Sequence, residues 1–197
     1  MSDADREKWD NRYREGAYAE RGHASAYLVE CLPLMQPPRA RALDLACGAG
    51  RNALYLASQG FTVDAVDIAT EALLRGSQAA EAASLQGINW VQQDLDAGLP
   101  GGLDDYGLII MMRYLDITLL RAAAQQLLPG GYLLAEVHLQ TDQKVAGPSG
   151  SAFRAVAGDL KTAATDLDII DYSEGLELDP DGRQVALARL LARAVTG

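Results

Sequence analysis

Residues 41–60, RALDLACGAGRNALYLASQG, decide the fold. The apolar run 42–46 is followed by a turn on Cys47-Gly48-Ala49-Gly50 and then by helical spacing as far as Gln59. A short buried strand, a glycine turn and a helix together open many nucleotide-binding α/β sheets. This stretch therefore predicts a cofactor cradle at the carboxyl end of the first strand.

Downstream of this stretch, short apolar runs alternate with segments of helical spacing. Predicted strands cover residues 61–66, 88–92, 106–112 and 132–137, and predicted helices cover residues 70–85 and 116–128. We expect Thr70 to cap the first of these helices and Pro129-Gly130-Gly131 to stop the second. This alternation indicates a parallel sheet wound by helices on both faces.

The two ends of the chain differ from this central pattern. Helices are predicted over residues 3–13 and 25–35, before the first strand. Near the other end, two apolar runs flank Asp179-Pro180-Asp181-Gly182, a strong turn signal that predicts an antiparallel hairpin. The polar, glycine-containing segment 140–150 is predicted to be a mobile loop.

These elements predict a single α/β domain with a Rossmann-like, doubly wound sheet. The sheet should be mostly parallel, with a C-terminal antiparallel hairpin as its last element. We divide the domain into an N-terminal helical lid (1–39), a cofactor-binding core (40–139), and a substrate-side loop with the terminal hairpin (140–197).

The composition narrows the class of protein. A formal net charge of −10 makes the surface repel phosphate backbones, so nucleic acid is not an expected partner. Two cysteines and two histidines show no metal-ligand spacing. No apolar run reaches the ~18 residues of a membrane span, and the charged N-terminus lacks the apolar core of a signal peptide. We therefore expect a cytoplasmic protein that binds a small-molecule substrate, no metal and no membrane.

Four predicted strand ends carry residues suited to binding a ligand. Gly48 and Gly50 follow the first strand, and Asp67, Asp94 and Arg113 end the next three. In an open α/β sheet these ends meet at one edge, where ligands bind. Glycine admits a ligand close to the backbone, Asp67 can accept both hydroxyls of a ribose, and Asp94 can accept from the amine of adenine. Each aspartate could instead cap the helix that follows it.

Other readings of these residues stay open. The run from Gly48 to Ala53 fits G-x-G-x-x-A, so a nicotinamide-dependent oxidoreductase is the rival enzyme class. Cys47 lies in the turn and is predicted to be a small packing residue rather than a nucleophile. His138 follows the fifth strand, where it is either a general base or a surface or hydrogen-bonded loop histidine.

The combination of motifs resembles a known family. Leu43-Asp-Leu-Ala-Cys-Gly-Ala-Gly50, together with Leu128-Pro-Gly-Gly-Tyr132, is similar to the class I S-adenosylmethionine-dependent methyltransferases. Trp9-Asp-Asn-Arg-Tyr13 resembles the tellurite-resistance and thiopurine-type group. That resemblance implies S-adenosylmethionine as the cofactor and an N-terminal segment that closes over it. It also implies methyl transfer to a small acceptor such as a thiol or a chalcogen oxyanion.

The resemblance further implies which residues bind the cofactor. These are Trp9, Arg12, Asp44, Ala46, Gly48, Gly50, Asn52, Asp67, Ile68, Asp94, Leu95 and Arg113. By the resemblance, Arg12 could meet the methionine carboxylate and Arg113 would lie near the sulfonium or the acceptor. Asp116 stands where a similar branch usually has histidine, and this departure is the support for a third hypothesis, a cofactor-binding module without turnover. No catalytic residue is assigned.

Overall fold

The computed structural model describes residues 3–16, 18, 22–102 and 104–196. The strands are β1 (Arg41–Leu45), β2 (Thr62–Asp67), β3 (Ile88–Gln92), β4 (Tyr106–Met112), β5 (Leu127–His138), β6 (Leu167–Leu178) and β7 (Gln184–Ala194). The helices are α1 (Asp3–Arg14), α2 (Ala26–Cys31), α3 (Arg51–Ser58), α4 (Thr70–Ala82), α5 (Ile117–Ala124) and α6 (Asp159–Ala163).

All seven strands form one sheet in the order β3-β2-β1-β4-β5-β7-β6. Strands β1 to β5 run parallel, and β7 lies antiparallel between β5 and β6. The mostly parallel, doubly wound sheet and its C-terminal antiparallel hairpin are therefore confirmed. The carboxyl ends of the parallel strands lie along one edge of the sheet, where the residues predicted to bind a ligand are found.

Two hydrophobic cores cover the two faces of the sheet. Leu43 and Leu45 of β1 belong to the core that includes residues of α5 and α6. Ala42, which precedes Leu43 on the strand, belongs to the core that includes residues of α2 and α3. Because successive side chains of a strand point to opposite faces, helices must cover both. This explains why β4 is buried along its whole length.

The prediction that Pro129-Gly130-Gly131 ends a helix is wrong. Helix α5 stops at Ala124, and β5 begins at Leu127 and continues through the proline and both glycines. The pairing of β4 with β5 shifts register between Tyr106 and Leu108, which makes this segment a bulge. Proline has no N–H to donate to the hydrogen-bond ladder, so within a sheet it is confined to places such as a bulge, where the ladder is interrupted.

Further differences from the predicted elements concern boundaries. Thr70 does not cap α4, because Ala69 occupies the N-cap position and Thr70 is the first helical residue. Helix α6 was not predicted, and both strands of the terminal hairpin are longer than their apolar runs. In the loop before α6, Arg154 donates to the carbonyls of Leu139, Ala146 and Pro148. In the described part of the chain, no helix combines the length and hydropathy needed to cross a bilayer.

Candidate cofactor-binding site

The glycine turn connects β1 to α3 and approaches the end of β2. Gly48 and Gly50 both have positive φ, +56° and +73°, a region that glycine enters without steric cost. The N–H of Gly48 donates to Oδ2 of Asp67 at 2.8 Å. This bond joins the turn directly to the carboxylate at the end of the neighbouring strand.

The space left by the two glycines is taken by aromatic side chains of the protein. A Cβ at Gly48 would lie 2.5 Å from the hydroxyl oxygen of Tyr13, a residue of α1. A Cβ at Gly50 would collide with the indole of Trp90 on β3. In this structure, Gly48 permits the approach of α1, and Gly50 permits the packing of β3 against the turn.

Both carboxylate oxygens of Asp67 accept hydrogen bonds from backbone N–H groups. Oδ2 accepts from Gly48, and Oδ1 accepts from the N–H of Ala69 at 2.9 Å. Burial raises the pKa of Asp67, although the backbone N–H groups of Ala69, Gly48 and Ile68 favour the ionised form. Each carboxylate oxygen has a second lone pair, so Asp67 can cap the segment and still accept from a ligand.

Asp44 is the most unusual polar group at this edge. Its side chain is 1% exposed, and within the described part of the chain neither carboxylate oxygen has a hydrogen-bond partner. Burial raises the pKa of Asp44 to about 7, the charge of Arg51 opposes that rise, and the charge of Asp67 adds to it. The nearby backbone N–H of Ala53 also favours the ionised form, although it does not meet the geometry of a hydrogen bond. Buried polar groups are normally hydrogen-bonded, so an unpartnered carboxylate beside a glycine turn indicates a place for a donor from a ligand.

A cleft of about 200 Å³ lies where α1 faces the ends of β2 and β3. It is lined by Asp3, Arg6, Ile68, Gln92, Gln93 and Asp94. The side chain of Asp94 accepts from the N–H of Asp96 at 2.9 Å and so caps a short 3₁₀ turn. Leu95 is buried in the core beneath that turn.

Helix α1 covers the turn, and its two residues predicted to bind the cofactor, Trp9 and Arg12, lie in different surroundings. Trp9 packs beside Tyr13 against Ala69 and Ala72 of the adjoining segment. The exposed guanidinium of Arg12 lies 4.9 Å from the centre of the Trp9 ring. Tyr13, by contrast, is buried, and burial together with the charge of Asp67 raises its pKa. The sequence places Tyr13 four residues from Trp9 on one helical face, but it did not identify Tyr13 as a residue of the site.

A buried ionic network occupies the ends of β4 and β5. Glu136 is 2% exposed and binds the Nε atoms of Arg113 and Arg189, each at 2.7 Å. Nη2 of Arg113 binds Asp179, in the turn of the terminal hairpin, at 2.9 Å. Arg113 has a φ of +64°, which strains a residue with a side chain. Glu136 was missed by the sequence reasoning, although a glutamate inside an apolar strand is a signal of a buried partner.

Two other polar candidates, Asp116 and Asn52, have structural partners. Asp116 caps α5, since its Oδ1 accepts from the N–H of Leu119 at 2.8 Å. This cap gives Asp116 a structural role at the start of α5. Asn52 accepts from the N–H of Ser25 at 2.8 Å, which joins α3 to the start of α2. Burial, with the charges of Arg113 and Arg154, lowers the pKa of His138 to about 4.

Comparison with known proteins places this chain in a family. Residues 9–180 match the model of the family described as "Tellurite resistance protein TehB", and the chain belongs to that family. Over 110 residues it is 34% identical to the Bacillus subtilis (strain 168) protein described as "Putative methyltransferase YqeM", a match that covers 52% of this chain and 44% of the relative.

Solved structures show the same fold. TehB from Haemophilus influenzae superposes with a TM-score of 0.73 at 23% identity, over 96% of this chain and 66% of that one. An S-adenosylmethionine-dependent methyltransferase from Methanosarcina mazei superposes with a TM-score of 0.69 at 16% identity, over 88% of this chain and 100% of that one. The chain thus has the fold of S-adenosylmethionine-dependent methyltransferases. It spans less than two thirds of the length of the Bacillus and Haemophilus proteins.

Proposed function

We propose that this protein is an S-adenosylmethionine-dependent methyltransferase acting on a small molecule. The observation that carries the proposal is the buried Asp44 carboxylate, which has no hydrogen-bond partner among the described residues and lies beside a glycine turn whose N–H donates to Asp67. Such an edge suits a cationic ligand with an ammonium group and a ribose. Membership of the TehB family and the methyltransferase fold support the same function over a nicotinamide-dependent oxidoreductase.

We assign the residues at this edge of the sheet to successive parts of the proposed ligand. Asp44, with Ala46, Gly48 and Gly50 around it, would hold the methionine end, where its free oxygens can accept from an ammonium group. Asp67 would accept the ribose hydroxyls with its remaining lone pairs. Ile68 and Asp94, which line the cleft beside α1, would border the adenine, and Leu95, buried in the core, would support Asp94. Asn52 and Trp9 would act indirectly, by holding α2 and α1 in place.

The chemistry asks the protein mainly for alignment and exclusion of water. Bound S-adenosylmethionine would supply an electrophilic methyl group for transfer to a lone pair of the acceptor, with the electron pair of the broken carbon–sulfur bond left on sulfur. Good positioning can contribute ~7–11 kcal/mol toward such a barrier. Tyr13 and the rest of α1 would shield the reacting atoms on the open side of the turn.

The side chains near the ends of β4 and β5 favour a methyl acceptor whose lone pair is available without removal of a proton. With a pKa of about 4, His138 is too weak a base to deprotonate an alcohol or an ammonium group near pH 7. Burial, together with the charge of Asp96, raises the pKa of Tyr114 and keeps that side chain protonated. These groups support a soft acceptor, a thiolate or a chalcogen oxyanion, whose lone pair is already available.

Calorimetry and a transfer assay test the proposal in sequence. Titration with S-adenosylmethionine, S-adenosylhomocysteine and NADH should show binding of the first two ligands only. Radiolabelled methyl transfer is then measured to a panel of thiols, selenite, tellurite and small amines, and transfer to a thiol or an oxyanion is expected. Binding of NADH alone would identify an oxidoreductase, and cofactor binding without transfer to any member would favour a non-catalytic module.

A further inference from the structure

Helix α4 receives its N-terminal cap from a different helix. The residue at its N-cap position is Ala69, whose methyl group cannot accept a hydrogen bond from the free N–H groups of the first turn. Asp10 of α1 supplies the acceptor instead, because its Oδ1 accepts from the N–H of Glu71 at 2.9 Å. Asp10 is 8% exposed, so this cap is buried between the two helices.

Two further contacts join α1 to α4 near this cap. Nε of Arg14 lies 3.0 Å from a carboxylate oxygen of Glu71, in an exposed ion pair that contributes little in water. Arg75 donates to the carbonyl of Tyr13. Of the side chains that join the two helices, Asp10 is the one that combines burial, charge and a cap, so it should contribute most to the contact.

The position of Asp10 connects this cap to the candidate site. Asp3, Arg6, Asp10 and Tyr13 follow one another at spacings of three or four residues and so share one face of α1. Asp3 and Arg6 line the cleft at the ends of β2 and β3, and Tyr13 covers Gly48. Asp10 lies between these contacts, so fixing it fixes the inner face of α1 along the whole site.

We propose that Asp10 is a positioning residue of the cofactor site: by capping α4 from α1, it holds Tyr13 against the glycine turn. The functional part of this proposal rests on the proposed cofactor site. Its structural part rests only on the contact between the two helices. The cap also explains why Ala69 suffices at the start of α4, since the acceptor comes from elsewhere in the chain.

Three variants test the proposal in the full-length protein. Asp10→Ala removes the cap, Asp10→Asn keeps an oxygen that can accept from Glu71, and Glu7→Ala removes an exposed carboxylate from the same helix. Affinity for S-adenosylhomocysteine is measured by calorimetry, at a temperature where circular dichroism shows every variant folded. Trypsin cleavage after Arg12 and Arg14 is measured without any ligand, as a direct report on the attachment of α1.

Asp10→Ala should bind S-adenosylhomocysteine at least about fivefold more weakly and be cleaved about fivefold faster, as expected for the loss of one cap. Asp10→Asn and Glu7→Ala should behave like the wild type in both assays. Faster cleavage of Asp10→Ala with unchanged affinity would show a purely structural cap and overturn the positioning role. Unchanged cleavage would overturn the attachment itself, whatever the ligand. A wild type that binds neither S-adenosylmethionine nor S-adenosylhomocysteine would instead refute the proposed function, and with it the cofactor part of this inference.

Discussion

Glu136 and Arg113 form a buried ion pair in which Oε1 lies 2.7 Å from Nε. The backbone repeats the contact, because the N–H of Arg113 donates to the carbonyl of Glu136 at 2.6 Å. The other oxygen of Glu136 binds Arg189 on β7. One carboxylate thus ties the ends of β4 and β5 to the strand that closes the sheet.

Removing this carboxylate should strongly destabilise the protein. Glu136→Ala removes the partner that two largely buried guanidinium groups share, although Arg113 keeps Asp179 and Arg189 keeps Glu177. Breaking a buried ion pair typically costs up to ~3–5 kcal/mol. Urea denaturation followed by circular dichroism at pH 7 measures the free energy of unfolding. Glu81→Ala, which removes an exposed carboxylate from α4, should change it little. A loss below ~1 kcal/mol for Glu136→Ala would contradict this prediction.

The same carboxylate should make stability sensitive to acid. Burial alone would raise the pKa of Glu136, but Arg113 and Arg189 outweigh burial and hold it below the ordinary value of 4.5. A carboxylate with a lowered pKa contributes stability above its unfolded pKa, and this contribution is lost as pH falls through the folded one. The difference in unfolding free energy between wild type and Glu136→Gln should therefore be constant above about pH 5.5 and shrink below that. A difference that stays constant down to pH 3 would argue against this role.

Binding of S-adenosylhomocysteine should depend on the ionisation of Asp44. Its pKa in the free protein is about 7, raised chiefly by burial, and its anionic form is the better acceptor for an ammonium group. Between pH 8 and pH 6 the anionic fraction falls about tenfold, so the affinity should fall by about the same factor. Asp44→Asn should bind more weakly at pH 8 and lose most of this dependence. Calorimetry across that range measures both effects, and a pH-independent wild type would disprove them.

Asp44 makes the stability of the ligand-free protein depend on pH in the opposite direction to Glu136. Since the folded pKa of Asp44 lies above the unfolded value of 3.8, stability falls as pH rises from about 4 to 7. Asp44→Asn should therefore stabilise the ligand-free protein more at pH 8 than at pH 5.

Asp67→Ala should weaken binding of S-adenosylhomocysteine. Losing hydrogen bonds to a charged group costs ~1.5–3 kcal/mol, which corresponds to a loss of about ten- to a hundredfold in affinity. Asp116→Ala is the matched control, because it removes a carboxylate that caps a helix at the same edge without a proposed role in the site. It should reduce stability and leave affinity unchanged. Equal affinity for Asp67→Ala and wild type would mean that Asp67 serves only as a cap.

Gly48 and Tyr13 should show strong coupling. Gly48→Ala introduces a methyl group 2.5 Å from the Tyr13 hydroxyl at a φ of +56°, so the melting temperature and the affinity for S-adenosylhomocysteine should both fall. In a Tyr13→Phe background the collision is relieved, since the nearest ring carbon is 3.6 Å away. Gly60→Ala, with positive φ but nothing within 4 Å, reports the backbone strain alone. Additive effects of the two substitutions in a double-mutant cycle would show that the side chains do not meet.

The parallel part of the sheet was predictable because each element carries its own local signal. The strands 88–92 and 106–112 coincide with β3 and β4, and in 106–112 a continuous apolar run ends abruptly at Arg113. The segment around Pro129 was not predictable in this way. Proline and glycines indicate a helix stop, and only the pairing of Leu127 with Tyr106 makes the same residues a bulge.

The candidate site likewise has residues that the sequence could place and contacts that only the tertiary structure shows. The chain itself determines which residues end the parallel strands, so Gly48, Asp67, Asp94 and Arg113 could be placed at one edge from the sequence. Tertiary structure alone decided their partners: Tyr13 over Gly48, Asp10 on α4, and Glu136 between Arg113 and Arg189. These contacts join residues dozens of positions apart, and local spacing carries no information about them. Burial then sets the charge state of each carboxylate, because the cost of removing a group from water depends on everything packed around it.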